Sequence, residues 1–144
     1  MDMLSLINMS KFFSGFTEEE KNIFAKNDSF VFEHFSDGEY ILREGDNSDS
    51  SLYVLVKGTV WVTKKHDPTR AISFIEEGDV FGEASFLSQQ PRTANVVASG
   101  NATVCKIDKK AMEKMSCSLQ LKINQQLVDM LLYRLSVLEN DRLS

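Results

Sequence analysis

The sequence predicts an α+β fold: an antiparallel β-roll, jelly-roll-like, flanked by N-terminal helices and a long C-terminal helix. Three observations predict it. Thr17 and Glu20 write the Thr-x-x-Glu pattern of a helix start. Between about residues 29 and 107, short runs of β-branched and aromatic residues alternate with Gly, Asp, Asn and Ser turns, and no Pro falls inside a run. From Asp108 onward the apolar spacing changes to helical steps.

Each element has its own signal. N-terminal helices occupy about residues 1–28, and the one capped at Thr17 runs to about Asn27. Phe30 to Phe35 alternates in part and ends at the turn Ser36-Asp37-Gly38. Tyr40 to Leu42 is a short strand before the turn Glu44-Gly45-Asp46, and Ser48 to Ser51 is loop. Leu52–Val56 and Thr59–Lys64 read as a strand pair around Lys57-Gly58. His66-Asp67-Pro68-Thr69 turns the chain into a strand at Ala71–Ile75, and Glu76-Glu77-Gly78-Asp79 turns it again. Ala94–Ala98 and Ala102–Ile107 read as a second pair around Ser99-Gly100-Asn101. Asp108 caps a short helix, and Ser116 or Ser118 caps a longer one reaching about Asp141. With no internal repeat, low-complexity segment or linker, residues 1–144 are read as one domain.

Composition narrows the function. A net charge of −5 gives no broad basic field, which argues against non-specific nucleic-acid binding. Cys105 and Cys117 are too few for a disulfide framework or a zinc site, and His34 and His66 stand apart in or near turns, so no metal is expected. No Ser–His–acid or Cys–His grouping carries a catalytic signature, so the chain is read as a non-enzyme. No apolar run approaches a membrane span, and the N-terminus lacks a basic-then-apolar leader. The expectation is a cytoplasmic protein with no membrane partner.

One segment concentrates chemistry. Residues 81–96 begin Phe81-Gly82-Glu83-Ala84-Ser85 and continue through Pro91-Arg92-Thr93-Ala94. Gly82 has no Cβ and lets the backbone approach an anion closely. Glu83 is a fixed acceptor for hydroxyls. Ser85 to Ser88 forms a short helical turn whose first N–H groups lack partners. Arg92 supplies a planar cation suited to bidentate phosphate contacts. A carboxylate for a sugar and a guanidinium for phosphate, in one loop, suggest a nucleotide with few phosphates. Taken singly, Glu83 reads equally as an exposed turn carboxylate and Arg92 as one half of a surface ion pair.

This segment resembles the phosphate-binding cassette of the cyclic nucleotide-binding domain family, which includes bacterial catabolite activators, regulatory subunits of cyclic-nucleotide-dependent kinases and cyclic-nucleotide-gated channels. The likeness extends to residues 6–20, to Asp37–Asp46 and to Tyr53–Val60. It implies that Glu83 holds the ribose 2′-hydroxyl, and that Arg92 with the N–H groups of Ala84 and Ser85 holds the cyclic phosphate. Ser85 stands where the family more often has Ala, a change that keeps the N–H. Thr93 is either a strand-start residue or a base-reading hydroxyl, and the resemblance tilts it toward cyclic GMP, or at least toward accepting both cyclic GMP and cyclic AMP. Val62 either lines the base pocket or packs the core.

The C-terminal helix carries two apolar sides. Leu121, Val128, Leu131, Leu135 and Leu138 form one seam, and Ile123, Leu127, Met130 and Val137 lie on another. Either the roll covers one side and a second copy the other, giving a parallel homodimer, or one broad face packs on the roll and the remaining leucines stay half-exposed. The segment Arg134-Leu135-Ser136-Val137-Leu138 resembles a channel lid segment. The resemblance implies that Arg134 stacks on or hydrogen-bonds the base and that Leu138 closes over it. A solvated surface cation is the other reading of Arg134.

The function expected is a cyclic AMP or cyclic GMP sensor, a regulatory module that transmits binding through its C-terminal helix to a downstream protein. No cofactor beyond that ligand is expected. The alternatives are a nucleotide-free dimerising adaptor and a truncated transcription regulator of the catabolite activator type. The second needs a DNA-reading domain of roughly 50 residues or more, and the long helix uses the residues beyond Cys117.

Overall fold

The computed structural model describes residues 3–26 and 30–143. Asn27, where the sequence placed the end of the capped helix, and residue 29, the expected start of the roll, lie outside these residues. The elements are α1 (Met3–Met9), a 3-10 turn (Lys11–Phe13), α2 (Glu18–Lys26), β1 (Phe30–Phe35), β2 (Tyr40–Leu42), β3 (Leu52–Thr63), β4 (Ser73–Ile75), β5 (Val80–Phe81), α3 (Glu83–Ser88), β6 (Asn95–Ile107), α4 (Lys109–Glu113) and α5 (Cys117–Leu143).

Local signals decide the helix starts. The capping box forms as written: the Glu20 N–H donates to Thr17 Oγ1 (3.1 Å), and the Thr17 N–H donates to Glu20 Oε1 (2.8 Å). Asp108 caps α4 by accepting from the Lys110 N–H. Ser116, not Ser118, caps α5, accepting from the Leu119 N–H at 3.2 Å.

The two expected strand pairs are instead two long strands. β3 and β6 pair antiparallel along their whole length, from Leu52↔Ile107 to Thr63↔Asn95. Lys57-Gly58 and Ser99-Gly100-Asn101 are not hairpin turns but the places where this ribbon shifts register and bends. One half of the ribbon carries β1 and β5 at its sides, and the other half carries β2 and β4. The strand expected over Ala71–Ile75 shortens to Ser73–Ile75.

The bent ribbon separates two cores. Along Leu52–Leu55 every residue is buried, because both faces are covered. Leu52 and Val54 join Phe12, Phe13, Phe16, Phe24, Phe30, Leu119, Ile123 and Leu127 in a cluster under the helices. Tyr53 and Leu55 join Leu42, Val60, Ile75, Phe81, Val96 and Val104 inside the roll. In the helical core Phe24 stacks on Phe16 and Phe30 at centroid distances of 5.4 and 5.1 Å, contacts that contribute about 0.5–1.5 kcal/mol each beyond area burial.

The helix α5 docks by its first half. Ile123 and Leu127 are fully buried, and Lys122 Nζ donates to Glu20 Oε1 at 2.6 Å, tying α5 to α2. That hydrogen bond, with the one from the Thr17 N–H, holds the Glu20 carboxyl below its usual range. Val137, grouped from sequence with Ile123, Leu127 and Met130, is exposed. Leu121, Val128, Leu135 and Leu138 form an exposed stripe, while Leu131 of the same seam is half-buried. No helix among the described residues is long and apolar enough to cross a membrane. Cys105 is buried, which pushes its thiol up to about 12, whereas Cys117 is exposed.

Candidate functional site

The segment 81–96 folds back over the open side of the roll. β5 ends at Phe81, Gly82 reverses the chain with φ +79°, and α3 starts at once with Glu83. The helical turn therefore begins two residues earlier than the sequence placed it. Ala84 and Ser85 sit in its first turn, where backbone N–H groups have no intrahelical partner.

The chain then returns through Pro91 to Arg92, which the β2–β3 loop grips. The Arg92 N–H donates to Asp46 O and the Gly45 N–H donates to Arg92 O, both at 2.8 Å. The side chain is almost wholly buried, at 3% exposure. Nη1 donates to Gly82 O (3.1 Å) and Nη2 to Ser51 O (3.0 Å). Asp49 Oδ2 lies 3.6 Å from Nη2. A buried cation needs such partners, and these leave N–H groups of the guanidinium over, since it carries five.

All the residues singled out from the sequence except Leu138 line one cleft of about 270 Å³. Glu83, Ala84, Ser85 and Arg92 contribute to its lining together with Phe81, Gly82, Thr93 and Ala94. Val62, Leu42, Ile75 and Val96 add apolar side chains, and Ser73, Phe74, Asp79 and Val80 complete the lining with Arg134. Thr93 is exposed, and its carbonyl accepts from Lys64 Nζ. Leu138 is outside the lining at 64% exposure, one helical turn beyond Arg134.

Arg134 joins the long helix to this cleft. Nη1 donates to Glu83 Oε1 at 2.7 Å, and Nη2 donates to Val80 O at 2.8 Å. The carboxylate is thus shared: Oε1 holds Arg134, and Oε2 makes no hydrogen bond of its own among the described residues. Both charged groups of the motif are therefore partnered within the chain, and still meet in a common cavity.

The sequence reading missed what stands behind Arg92. Asp49 Oδ1 accepts from the Ser51 N–H (3.0 Å) and hydroxyl (2.7 Å), and Oδ2 accepts from the Tyr53 hydroxyl (2.9 Å). Lys106 Nζ lies 3.6 Å from Oδ2. Burial acts to raise the Asp49 carboxyl, but the hydrogen bonds from Ser51 and Tyr53, with the Lys106 charge, outweigh it and bring it to about 2. Burial, with the hydrogen bond to Asp49, pushes the Tyr53 hydroxyl up. The signal was present in the repeated Asp-x-Ser of Asp46–Ser48 and Asp49–Ser51, which forms two side-chain-capped turns and orders the loop.

With this geometry in hand, comparison with known proteins is decisive. The family model described as "Cyclic nucleotide-binding domain" matches residues 32–116. The chain belongs to the cyclic nucleotide-binding domain family. Human cGMP-dependent protein kinase 2 is 36% identical over 81 residues, 54% of this chain and 10% of the kinase. The chain thus spans about a tenth of that relative. Among solved structures, the regulatory domain of Toxoplasma gondii PKA with cAMP matches at TM-score 0.70 and 26% identity, over 88% of this chain and 49% of the other. A cyclic nucleotide-binding domain from Methylobacillus flagellatus matches at TM-score 0.78 and 24% identity, over 93% of this chain and 76% of the other, and supports the fold. In this cyclic nucleotide-binding domain the matched span holds the whole cassette and ends at Ser116, before α5.

Proposed function

We propose that the chain binds cyclic AMP or cyclic GMP and serves as a regulatory module, with α5 carrying the signal to a partner protein. One observation carries this: a nearly buried guanidinium (Arg92), a carboxylate with one oxygen to spare (Glu83) and the first-turn N–H groups of α3 share a single cleft with an apolar wall. Arg92 and the N–H groups of Ala84 and Ser85 take the cyclic phosphate, Glu83 takes the ribose hydroxyl, and Val62 with Thr93 faces the base. The hydroxyl of Thr93 favours cyclic GMP. Titration calorimetry with each nucleotide tests the reading. Saturable one-to-one binding supports it, and no heat from either at millimolar concentration sinks it.

Arg134 is the link between ligand and helix. A hydroxyl arriving at Glu83 meets a carboxylate already gripping α5, so ligand and helix stabilise each other. Arg134→Ala is expected to weaken nucleotide binding about fivefold, the scale of a partly exposed ion pair. It should also raise amide exchange over residues 131–139 in the free protein. Unchanged exchange there would remove Arg134 from the transmission path.

The exposed stripe of Leu121, Val128, Leu135 and Leu138 supports a parallel homodimer through α5. Sedimentation should show a dimer that Leu135→Asp converts to monomer. A monomeric wild-type chain at tens of micromolar would rule the dimer out. A second reading, an adaptor that binds no nucleotide, draws on the internal partners that Arg92 and Glu83 already have. It predicts the dimer without any calorimetric signal.

A further inference from the structure

We infer that Lys64 is a positioning residue for the base end of the cleft: it holds the Thr93 carbonyl, and through it the direction of the Thr93 hydroxyl, so that a base able to reach that hydroxyl is favoured. The inference rests on the nucleotide-binding reading above and extends it to a residue outside both the cassette and the cleft lining.

Thr93 stands between two fixed points. On one side the β2–β3 loop holds Arg92 through its N–H and its carbonyl. On the other, Asn95 starts β6 and pairs with Thr63, the last residue of β3. The buried Asn95 side chain locks that corner. Its Oδ1 accepts from the Glu44 N–H at 2.8 Å, and its Nδ2 donates to Thr63 Oγ1 at 3.3 Å. Thr93 and Ala94 lie outside the ladder, because β3 leaves it after Thr63. The chain there closes a turn on itself, with the Asp67 N–H donating to Lys64 O at 3.0 Å. The next backbone rung, which would have fixed Thr93, is therefore missing. The Lys64 side chain supplies a bond in its place. Lys64 stands two residues beyond Val62 of the cleft wall, hence on the same side of the chain, and its Nζ donates to Thr93 O.

The ammonium is itself held. Glu44 Oε1 lies 3.4 Å from Nζ, and the Glu44 backbone is tied to Asn95. With its carbonyl gripped, the planar peptide after Thr93 is held against rotation, and a β-branched side chain has few χ1 choices left. The direction of the hydroxyl then follows from the backbone. Two roles for Lys64 separate cleanly. Cyclic AMP and cyclic GMP carry the same charge and differ only in the base, so a lysine acting as a nearby cation would help both alike. A lysine acting through Thr93 helps mainly the base that offers the hydroxyl a partner, and guanine carries a 2-amino donor that adenine lacks.

The test reads the ratio of two affinities, with a second readout that needs no ligand. Lys64→Met keeps most of the length and removes the donor. By calorimetry it is expected to weaken cyclic GMP binding about fivefold, the scale of one ordinary hydrogen bond, and cyclic AMP binding less than about twofold. Lys64→Arg restores a donor and should recover most of the ratio. In a Thr93→Val background, which keeps the β-branch and loses the hydroxyl, Lys64→Met should leave the ratio where it was. An equal loss for both nucleotides, wild-type cyclic GMP affinity in Lys64→Met, or the same change of ratio in the Thr93→Val background overturns the inference. So does a wild type that binds cyclic AMP alone. The ligand-free arm follows the Thr93 carbonyl by ¹³C NMR. Its signal should move upfield in Lys64→Met, as for a carbonyl that loses a donor, and return in Lys64→Arg. One unchanged signal across wild type and both variants overturns the inference. If the wild type binds neither nucleotide, the functional reading fails, and the ¹³C arm alone decides whether Lys64 positions Thr93.

Discussion

Arg92→Ala is expected to lower cyclic nucleotide affinity by at least about a hundredfold. A fork that places two charge-assisted hydrogen bonds on a phosphate contributes roughly 1.5–3 kcal/mol for each, and about 1.4 kcal/mol is a factor of ten. No neighbour replaces it: among the side chains lining the cleft, the other cation is Arg134, which is committed to Glu83 and Val80. The truncation also disturbs the free protein. It strips donors from Ser51 O and Gly82 O and leaves Asp49 without its guanidinium, at a cost of roughly 1–3 kcal/mol for a buried group left unpaired. Arg92→Lys therefore gives the cleaner comparison. It keeps a cation in the cavity but loses the planar fork, so affinity should fall less steeply while the unliganded melting temperature moves little. Calorimetry beside thermal unfolding reads both. A folded Arg92→Ala protein with wild-type affinity would take the phosphate off this residue altogether.

How much of this was legible in the sequence depended on how local each interaction is. Thr17 with Glu20, and the cap at Asp108, act within a few residues, and each appears where the residue pattern put it. The bend of the central ribbon was misread for a physical reason. Gly58 and Gly100 carry the positive φ of a reversing hairpin, at 98° and 76°, but here the two sites face each other across paired strands and bend both together. Turn chemistry marks a change of direction and does not say whether the ladder is broken. The Asp49 network was illegible for another reason. It acts on Arg92 across a long stretch of sequence, through a carboxylate that alone looks like any loop acid. The Glu83–Arg134 pair is of the same kind: both residues were marked, but as contacts for a ligand and not for each other. For α5, the spacing separated two apolar sides correctly, yet only the docked first half buries its side, so Val137 stays in solvent while Ile123 and Leu127 do not.

Gly82→Ala should be the most damaging small substitution in the cassette, because two separate penalties fall on one methyl group. The backbone at Gly82 has φ +79°, a left-handed conformation that costs an alanine roughly 1–2 kcal/mol. The added Cβ would also lie 2.8 Å from Arg92 Nη1 and 3.2 Å from Ser51 O, both closer than ordinary contact. Ser51 O is backbone in a loop locked by Asp49, so the guanidinium must yield. Nη1 then moves off Gly82 O, the acceptor that aims it. The expected result is a destabilisation of roughly 1–3 kcal/mol together with a loss of nucleotide affinity approaching that of Arg92→Lys. Gly38 separates the two causes. Its φ is +82°, but a Cβ there meets nothing within 4 Å, so Gly38→Ala carries the strain without the collision. Denaturant unfolding should place the two variants on the same side of wild type, with Gly82→Ala the less stable. Calorimetry should show normal binding only for Gly38→Ala. Were Gly82→Ala to bind as well as Gly38→Ala, the close approach of backbone to guanidinium would be incidental, and the cassette turn would be needed for its shape alone.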